Sequence, residues 1–150
     1  MIIQSITKNK SNVTACEINN IRFEKMVYNF KMQNENVYSL NKDARELNDN
    51  LKFDKILIDA PCSGSGTFDI SDDKYEKYFT EILIEKSIKR QLSLLKKSNK
   101  LIKKSGLIVY STCSILNSEN EDMIKNNNLK NWIYIKILPT GIFEGFFTKI

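Results

Sequence analysis

Two thiols and a carboxylate stand in this sequence where they can do chemistry. Asp59-Ala60-Pro61-Cys62-Ser63-Gly64-Ser65-Gly66-Thr67 sets a carboxylate just ahead of a thiol, and Tyr110-Ser111-Thr112-Cys113-Ser114 sets a second thiol between small hydroxyl residues. A cysteine is a nucleophile once ionised, and a carboxylate beside it can orient a bound group. Ser63-Gly64-Ser65-Gly66 has little side-chain bulk, so its backbone can come close to a ligand.

Each thiol ends a predicted strand. Residues 55–58 form a short run without Gly or Pro that reads as a strand buried on both faces, and it stops at Asp59-Ala60-Pro61. Gly106-Leu107-Ile108-Val109-Tyr110 leads the same way into Cys113. As parallel neighbours these strands would bring both thiols to one rim, the C-terminal edge along which open α/β sheets bind ligands. An ordinary strand-to-loop exit explains Asp59-Ala60-Pro61 when it is taken alone. Two such exits, each with a thiol, weigh against that explanation.

The chain around them reads as alternating strands and helices. Residues 1–10 have weak helical periodicity. Asn12-Val13-Thr14-Ala15-Cys16-Glu17 reads as a strand ending in an acid, with Asn19 or Asn20 capping a helix whose apolar face is Phe23, Met26, Val27 and Phe30. Glu17 lies where nucleotide-binding α/β folds hold a carboxylate against a ribose hydroxyl; a solvated acid at a helix start is the competing explanation. Cys16 reads as a small core residue. Asn36-Val37-Tyr38-Ser39-Leu40 is the next strand, and Asp43 follows as a candidate helix N-cap. A long helix runs from about Thr80 to Lys104, with Ile84, Ile88, Leu92, Leu95 and Ile102 on one stripe, Lys103 and Lys104 at its negative end and Gly106 just past it. Its basic outer face reads as solvated surface before it reads as an RNA-binding ridge. Ser118-Glu119-Asn120-Glu121 fits a capping box, and its Asn-Glu pair is placed to brace the Cys113 loop. Asn126-Asn127-Asn128 breaks that helix. Residues 132–138 and 143–150 read as two closing strands.

Composition sets bounds. The 150 residues suffice for one domain with a real core, and 41% hydrophobic content supports a globular chain. No apolar run approaches the ~18–20 residues that span a bilayer, and Met1-Ile2-Ile3-Gln4-Ser5-Ile6 is too short and polar for a signal peptide. An intracellular protein is expected. Three cysteines without a Cys-x-x-Cys pair argue for reduced thiols, and the absence of histidine argues against a metal site. A net charge of +5 suits a polyanion such as RNA, but so does a general Lys, Asn and Ile bias with no such partner.

The two thiol segments, with Ile115 and Glu119-Asn120-Glu121 after the second, resemble the paired signatures of the Sun (Fmu/Nol/Nop) family of RNA cytosine-C5 methyltransferases. The resemblance spans about residues 11–125 plus the closing tail. It implies a Rossmann-like class I methyltransferase sheet, mostly parallel with helices on both faces, and S-adenosylmethionine as cofactor. It implies Cys113 as nucleophile toward C6 of the base, Cys62 for proton removal and release, and Asp59 to orient the base and border the cofactor. Glu17 would hold the cofactor ribose and Asp43 would lie near its adenine. The substrate would be rRNA or tRNA, unstacked at the target base, in the cytoplasm, nucleus or nucleolus. The DNA cytosine enzymes resemble this plan but use the Pro-Cys thiol as nucleophile, which would exchange the roles of Cys62 and Cys113.

Two departures stand out. Family members carry a turn of the form Asp-x-Cys-x-x-Pro-Gly-Gly-Lys ahead of the first acid, whereas this chain has no glycine before Gly64. The expectation is a single methyltransferase domain over 1–150 that lacks its first, central strand and its glycine-rich turn. Such a chain would bind cofactor weakly, could be inactive alone, and could self-associate through exposed strand edges. After Thr67 the chain carries Asp69, Asp72 and Asp73 with only Lys74 and Lys77, where the family is basic. A non-catalytic RNA- or protein-binding domain derived from such an enzyme is the rival reading.

Overall fold

A computed structural model describes residues 11–67, 79–125, 134–137 and 146–149. The expected helix in 1–10, the acidic stretch after Thr67, the Asn126-Asn127-Asn128 break and the outer parts of the closing strands lie outside the described residues. The chain divides into two compact units, Met1–Asn48 and Asp49–Ile150.

The first unit is a parallel crossover of β1 (Val13–Cys16), α1 (Asn20–Met32) and β2 (Val37–Leu40). The strands pair from Val13↔Val37 to Cys16↔Leu40. Asn19 caps α1, its side chain accepting from the Arg22 amide at 3.0 Å. The stripe Phe23, Met26, Val27 and Phe30 is the half-buried face of α1, while Ile21, Tyr28 and Met32 are exposed. At the far end Asn34 takes a left-handed φ of 51°. There the Glu35 amide donates to the Phe30 carbonyl (2.9 Å) and the Asn34 amide to that of Lys31 (3.1 Å), which satisfies carbonyls the helix leaves open. Asparagine serves where glycine is usual because its short polar side chain tolerates that backbone.

The second unit holds β3 (Phe53–Asp59), α2 (Glu81–Leu101), β4 (Ile102–Thr112), α3 (Glu121–Lys125), β5 (Tyr134–Ile137) and β6 (Phe146–Lys149). The strand order is β3-β4-β6-β5, with β3 and β4 parallel and the other two pairs antiparallel. Thr80 caps α2, accepting from the Leu83 amide at 3.2 Å. Leu95 of α2 and Met123 and Ile124 of α3 close over Ile58, Ile108 and Tyr110, with Ile88 and Leu92 packed at the margin. Among the described residues β3 pairs with β4 alone, and β1 with β2 alone.

Three expectations are corrected. β3 alternates instead of burying both faces: Ile58 is 6% exposed and Leu57 56%, because α2 and α3 cover only the Ile58 side. The long helix stops at Leu101, where the Ile102 amide closes onto the Ser98 carbonyl and the chain extends to pair with β3. Lys103 and Lys104 therefore lie on β4, and Lys103 reaches across to Asp54 at 2.8 Å. Ser118 sits inside a 3-10 turn, Asn117–Glu119, and does not cap α3.

Gly106 has a different task from ending a helix. The β3–β4 register slips between Phe53 and Lys55, and a Cβ on Gly106 would stand 2.9 Å from the Asp54 carbonyl and 2.6 Å from the Ile102 side chain. Gly106→Ala should destabilise the fold by about 1–3 kcal/mol, the usual range for forced overpacking. A lowered urea midpoint checks this, and an unchanged midpoint would mean that the strands part without penalty.

Candidate active site

Parallel pairing of β3 with β4 sets Asp59 opposite Ser111. The loops that leave these strands therefore start level, and each carries its thiol a few residues on. Cys62 and Cys113 meet with their sulfurs 3.1 Å apart, both half-buried and neither in a disulfide. Asp59 is exposed at the end of β3. The thiols expected to share a rim do share it, and the carboxylate stands at its edge.

The two loops are stitched together. The Ala60 amide donates to the Ser111 carbonyl and the Gly66 amide to the Cys113 carbonyl, each at 2.9 Å. Ser65 Oγ lies 2.9 Å from Ser114 Oγ and accepts from the Ile115 amide at 3.0 Å. Gly64 turns the chain with φ of 73°, a conformation that side chains resist, so the Cys62 loop can fold back over Cys113. Each serine and glycine that marked this segment has a partner or a bend to make.

A layer of buried polar groups lies beneath. The Glu119 carboxylate is fully buried and accepts from the Ser63 amide (2.8 Å), Ser63 Oγ (2.5 Å) and Gln91 Nε2 (3.3 Å). Gln91 Nε2 also donates to the Pro61 carbonyl at 3.0 Å. Asn120 braces the other loop: Thr112 Oγ1 donates to Asn120 Oδ1, and Asn120 Nδ2 donates to the Ser114 carbonyl, both at 2.7 Å. Tyr110 OH donates to the Glu119 carbonyl at 2.7 Å, and burial pushes that phenol up. Asn120 braces the Cys113 loop as expected; Glu119 stood in the signature without a role, and its bond to the Cys62 loop was not foreseen, nor was Gln91. For Gln91 the available signal was a glutamine four residues before Leu95 on the apolar stripe of α2.

Burial first, and then the hydrogen bond with Cys113, push the Cys62 thiol up to about 12. Cys62 therefore rests protonated at neutral pH. Iodoacetamide should label it slowly there and faster as pH climbs toward about 12. Fast neutral labelling, read by peptide mass spectrometry, would mean that Cys62 rests as a thiolate.

Glu17 and Asp43 stand where the chain leaves the C-terminal ends of β1 and β2 in the first unit. Glu17 Oε1 accepts from the Asn19 amide (2.7 Å) and Arg22 Nη2 (3.0 Å), while Oε2 has no hydrogen bond among the described residues. An acceptor of this kind fits a ribose hydroxyl. Asp43 caps the 3-10 turn Ala44–Glu46 and accepts from the Arg45 amide and guanidinium. The guanidinium bonds hold its carboxyl below the usual range. Both explanations weighed for Asp43 remain compatible, since a capped carboxylate keeps lone pairs for an amino group. Cys16, expected in the core, is only half-buried and lies outside the buried cluster; partial burial, and then the Asp43 charge, raise its thiol. Among the described residues no group of three or more His, Cys, Asp or Glu side chains could hold a metal ion, and no helix is long and apolar enough to cross a membrane.

Comparison with known proteins adds a lineage to this geometry. A family model described as 16S rRNA methyltransferase RsmB/F matches residues 1–149. The probable ribosomal RNA small subunit methyltransferase B of Bacillus subtilis is 34% identical over 81% of this chain, and the tRNA (cytosine(72)-C(5))-methyltransferase of Pyrococcus horikoshii is 32% identical over 95% of it. The chain spans 28% and 36% of those two proteins' lengths. The crystal structure of NSun6 from Pyrococcus horikoshii with SFG superposes with a TM-score of 0.83 at 27% identity, over 98% of this chain and 42% of that one.

Proposed function

Since the chain belongs to the 16S rRNA methyltransferase RsmB/F family, we propose that residues 1–150 form a catalytic domain transferring a methyl group from S-adenosylmethionine to C5 of cytosine in rRNA or tRNA. The observation that carries this reading is the meeting of Cys62 and Cys113, 3.1 Å apart, where two parallel strands end. Cytosine C5 is a poor nucleophile. A thiolate that adds to C6 pushes an electron pair to C5 and makes that carbon reactive.

Cys113 is the thiol we assign to that addition. The raised Cys62, protonated at rest, supports this choice. Asp59, exposed at the rim, would hydrogen-bond the base at N3 and its exocyclic amine, a proton shared with N3 offsetting the negative charge that the thiolate brings as the adduct forms. S-adenosylmethionine, when bound, supplies the methyl as an electrophile on a sulfonium. Glu17 and Asp43 are assigned to its ribose and adenine. Once C5 is substituted, its proton must leave; Cys62 is assigned to that removal, for which it must first give up its own thiol proton to solvent, after which the C6–S bond breaks and Cys113 is regenerated as the thiolate. The half-buried sulfur pair would take a base unstacked from its neighbours.

The test uses the full-length protein with rRNA and tRNA transcripts and methyl-labelled S-adenosylmethionine. Labelled 5-methylcytidine in the digested RNA is the expected result. Folded protein that gives none on any transcript would overturn the reading and favour an RNA- or protein-binding role.

A further inference from the structure

Glu119 is a fully buried carboxylate for which the chemistry above has no use. Among the described residues no lysine or arginine pairs with it. Burying a carboxylate costs several kcal/mol unless hydrogen bonds replace its water. The replacements here come from a single place. The Ser63 amide belongs to the peptide group just after Cys62, and it donates to Glu119 at 2.8 Å. The Pro61 carbonyl belongs to the peptide group just before Cys62, and it accepts at 3.0 Å from Gln91, whose same nitrogen donates to Glu119 at 3.3 Å. Both peptide planes that flank Cys62 are thus tied to one Glu119–Gln91 pair. Fixing both planes fixes the backbone dihedrals of Cys62 and leaves its sulfur only the choice of rotamer.

The neighbouring residue does the same on the opposite side. Asn120 takes the Thr112 hydroxyl and the Ser114 carbonyl, one residue before and one after Cys113. Two consecutive side chains therefore hold the two loops whose sulfurs meet. We infer that Glu119 is a positioning residue that aims Cys62 at Cys113, acting through Ser63 and Gln91 and not by charge. The inference deepens the proposed function and rests on it for its catalytic consequence, though not for its geometry.

A carboxylate that acts by shape can be replaced by its amide. In Glu119→Gln the amide oxygen still accepts from Ser63 N–H, and the amide nitrogen can donate to Ser63 Oγ once that hydroxyl turns round. Glu119→Leu keeps the volume and offers nothing. Two readouts separate the variants. The first needs neither RNA nor cofactor: diamide oxidises Cys62 and Cys113 to a disulfide, its N=N bond taking up the two electrons and two protons. Glu119→Leu should slow this by about tenfold or more, the scale on which misaligned groups lose reactivity, with Glu119→Gln close to wild type. The second is the protein–RNA adduct, which should persist in Glu119→Leu because proton removal and release lag behind addition, and should turn over normally in Glu119→Gln.

Urea midpoints are measured alongside. If Glu119→Leu fails to fold, Gln91→Met, which removes the tie to Pro61, should show the same two signatures more weakly. Wild-type diamide rates in these variants would overturn the inference whatever their activity. Gln and Leu variants that are equally slow would overturn it in favour of a role for charge. Absence of adduct from every protein, wild type included, would remove the functional reading, and the diamide rates would still decide the positioning.

Discussion

Cys113→Ala is expected to lose methyl transfer by roughly 10⁴-fold or more, the scale seen when a covalent nucleophile is removed, and to form no adduct with RNA. Cys62→Ala should behave differently. It keeps the addition but lacks the thiol assigned to proton removal and release, so a methylated protein–RNA adduct that survives denaturant should accumulate. The structure makes this contrast a sharp one, since the two sulfurs are 3.1 Å apart and share the same two loops. Nonspecific damage to the loops would impair both variants in the same way. Gel mobility of labelled RNA after denaturation reads both outcomes. Adduct in Cys113→Ala and none in Cys62→Ala would exchange the two assignments.

Asp59→Asn is expected to lower kcat by roughly 10²–10³-fold, the effect of removing one group that stabilises developing charge. The urea midpoint should stay put, because Asp59 is exposed and among the described residues no side-chain hydrogen bond ties it to the fold. The amide is nearly isosteric but presents a donor where an amine of the base also donates. Single-turnover methylation with excess enzyme measures the chemical step. Unimpaired turnover would take Asp59 out of the reaction and leave it as the last residue of a strand.

The parts of the fold governed by period were legible in the chain. Phe23, Met26, Val27 and Phe30 form the packed face of α1, and Ile88, Leu92 and Leu95 form that of α2, as spacing alone requires. The thiols were legible because each ends a strand, and parallel pairing fixes where strand ends lie. Boundaries set by tertiary contact were not. Nothing local distinguishes Lys103 on a helix from Lys103 on a strand; pairing of Ile102 with Phe53 decides it. Gly106 looked like a helix stop because glycine often is one, and only the nearby Asp54 carbonyl reveals its use. The buried roles of Glu119 and Gln91 were hidden for a related reason. A polar side chain is normally read as exposed, and what buries these two is a loop remote from both in sequence.

The sulfur pair joins residues 51 apart, and the chain between them includes α2 and β4. Contacts of such sequence separation form late, since closing a loop of that length costs entropy before any local contact repays it. The pair therefore records the end of refolding, not its beginning. Helix content would recover first on dilution from denaturant, and disulfide trapping between Cys62 and Cys113 would lag behind it. The feature that equips the chain for chemistry also supplies a chemical clock for the folding of the unit that holds it.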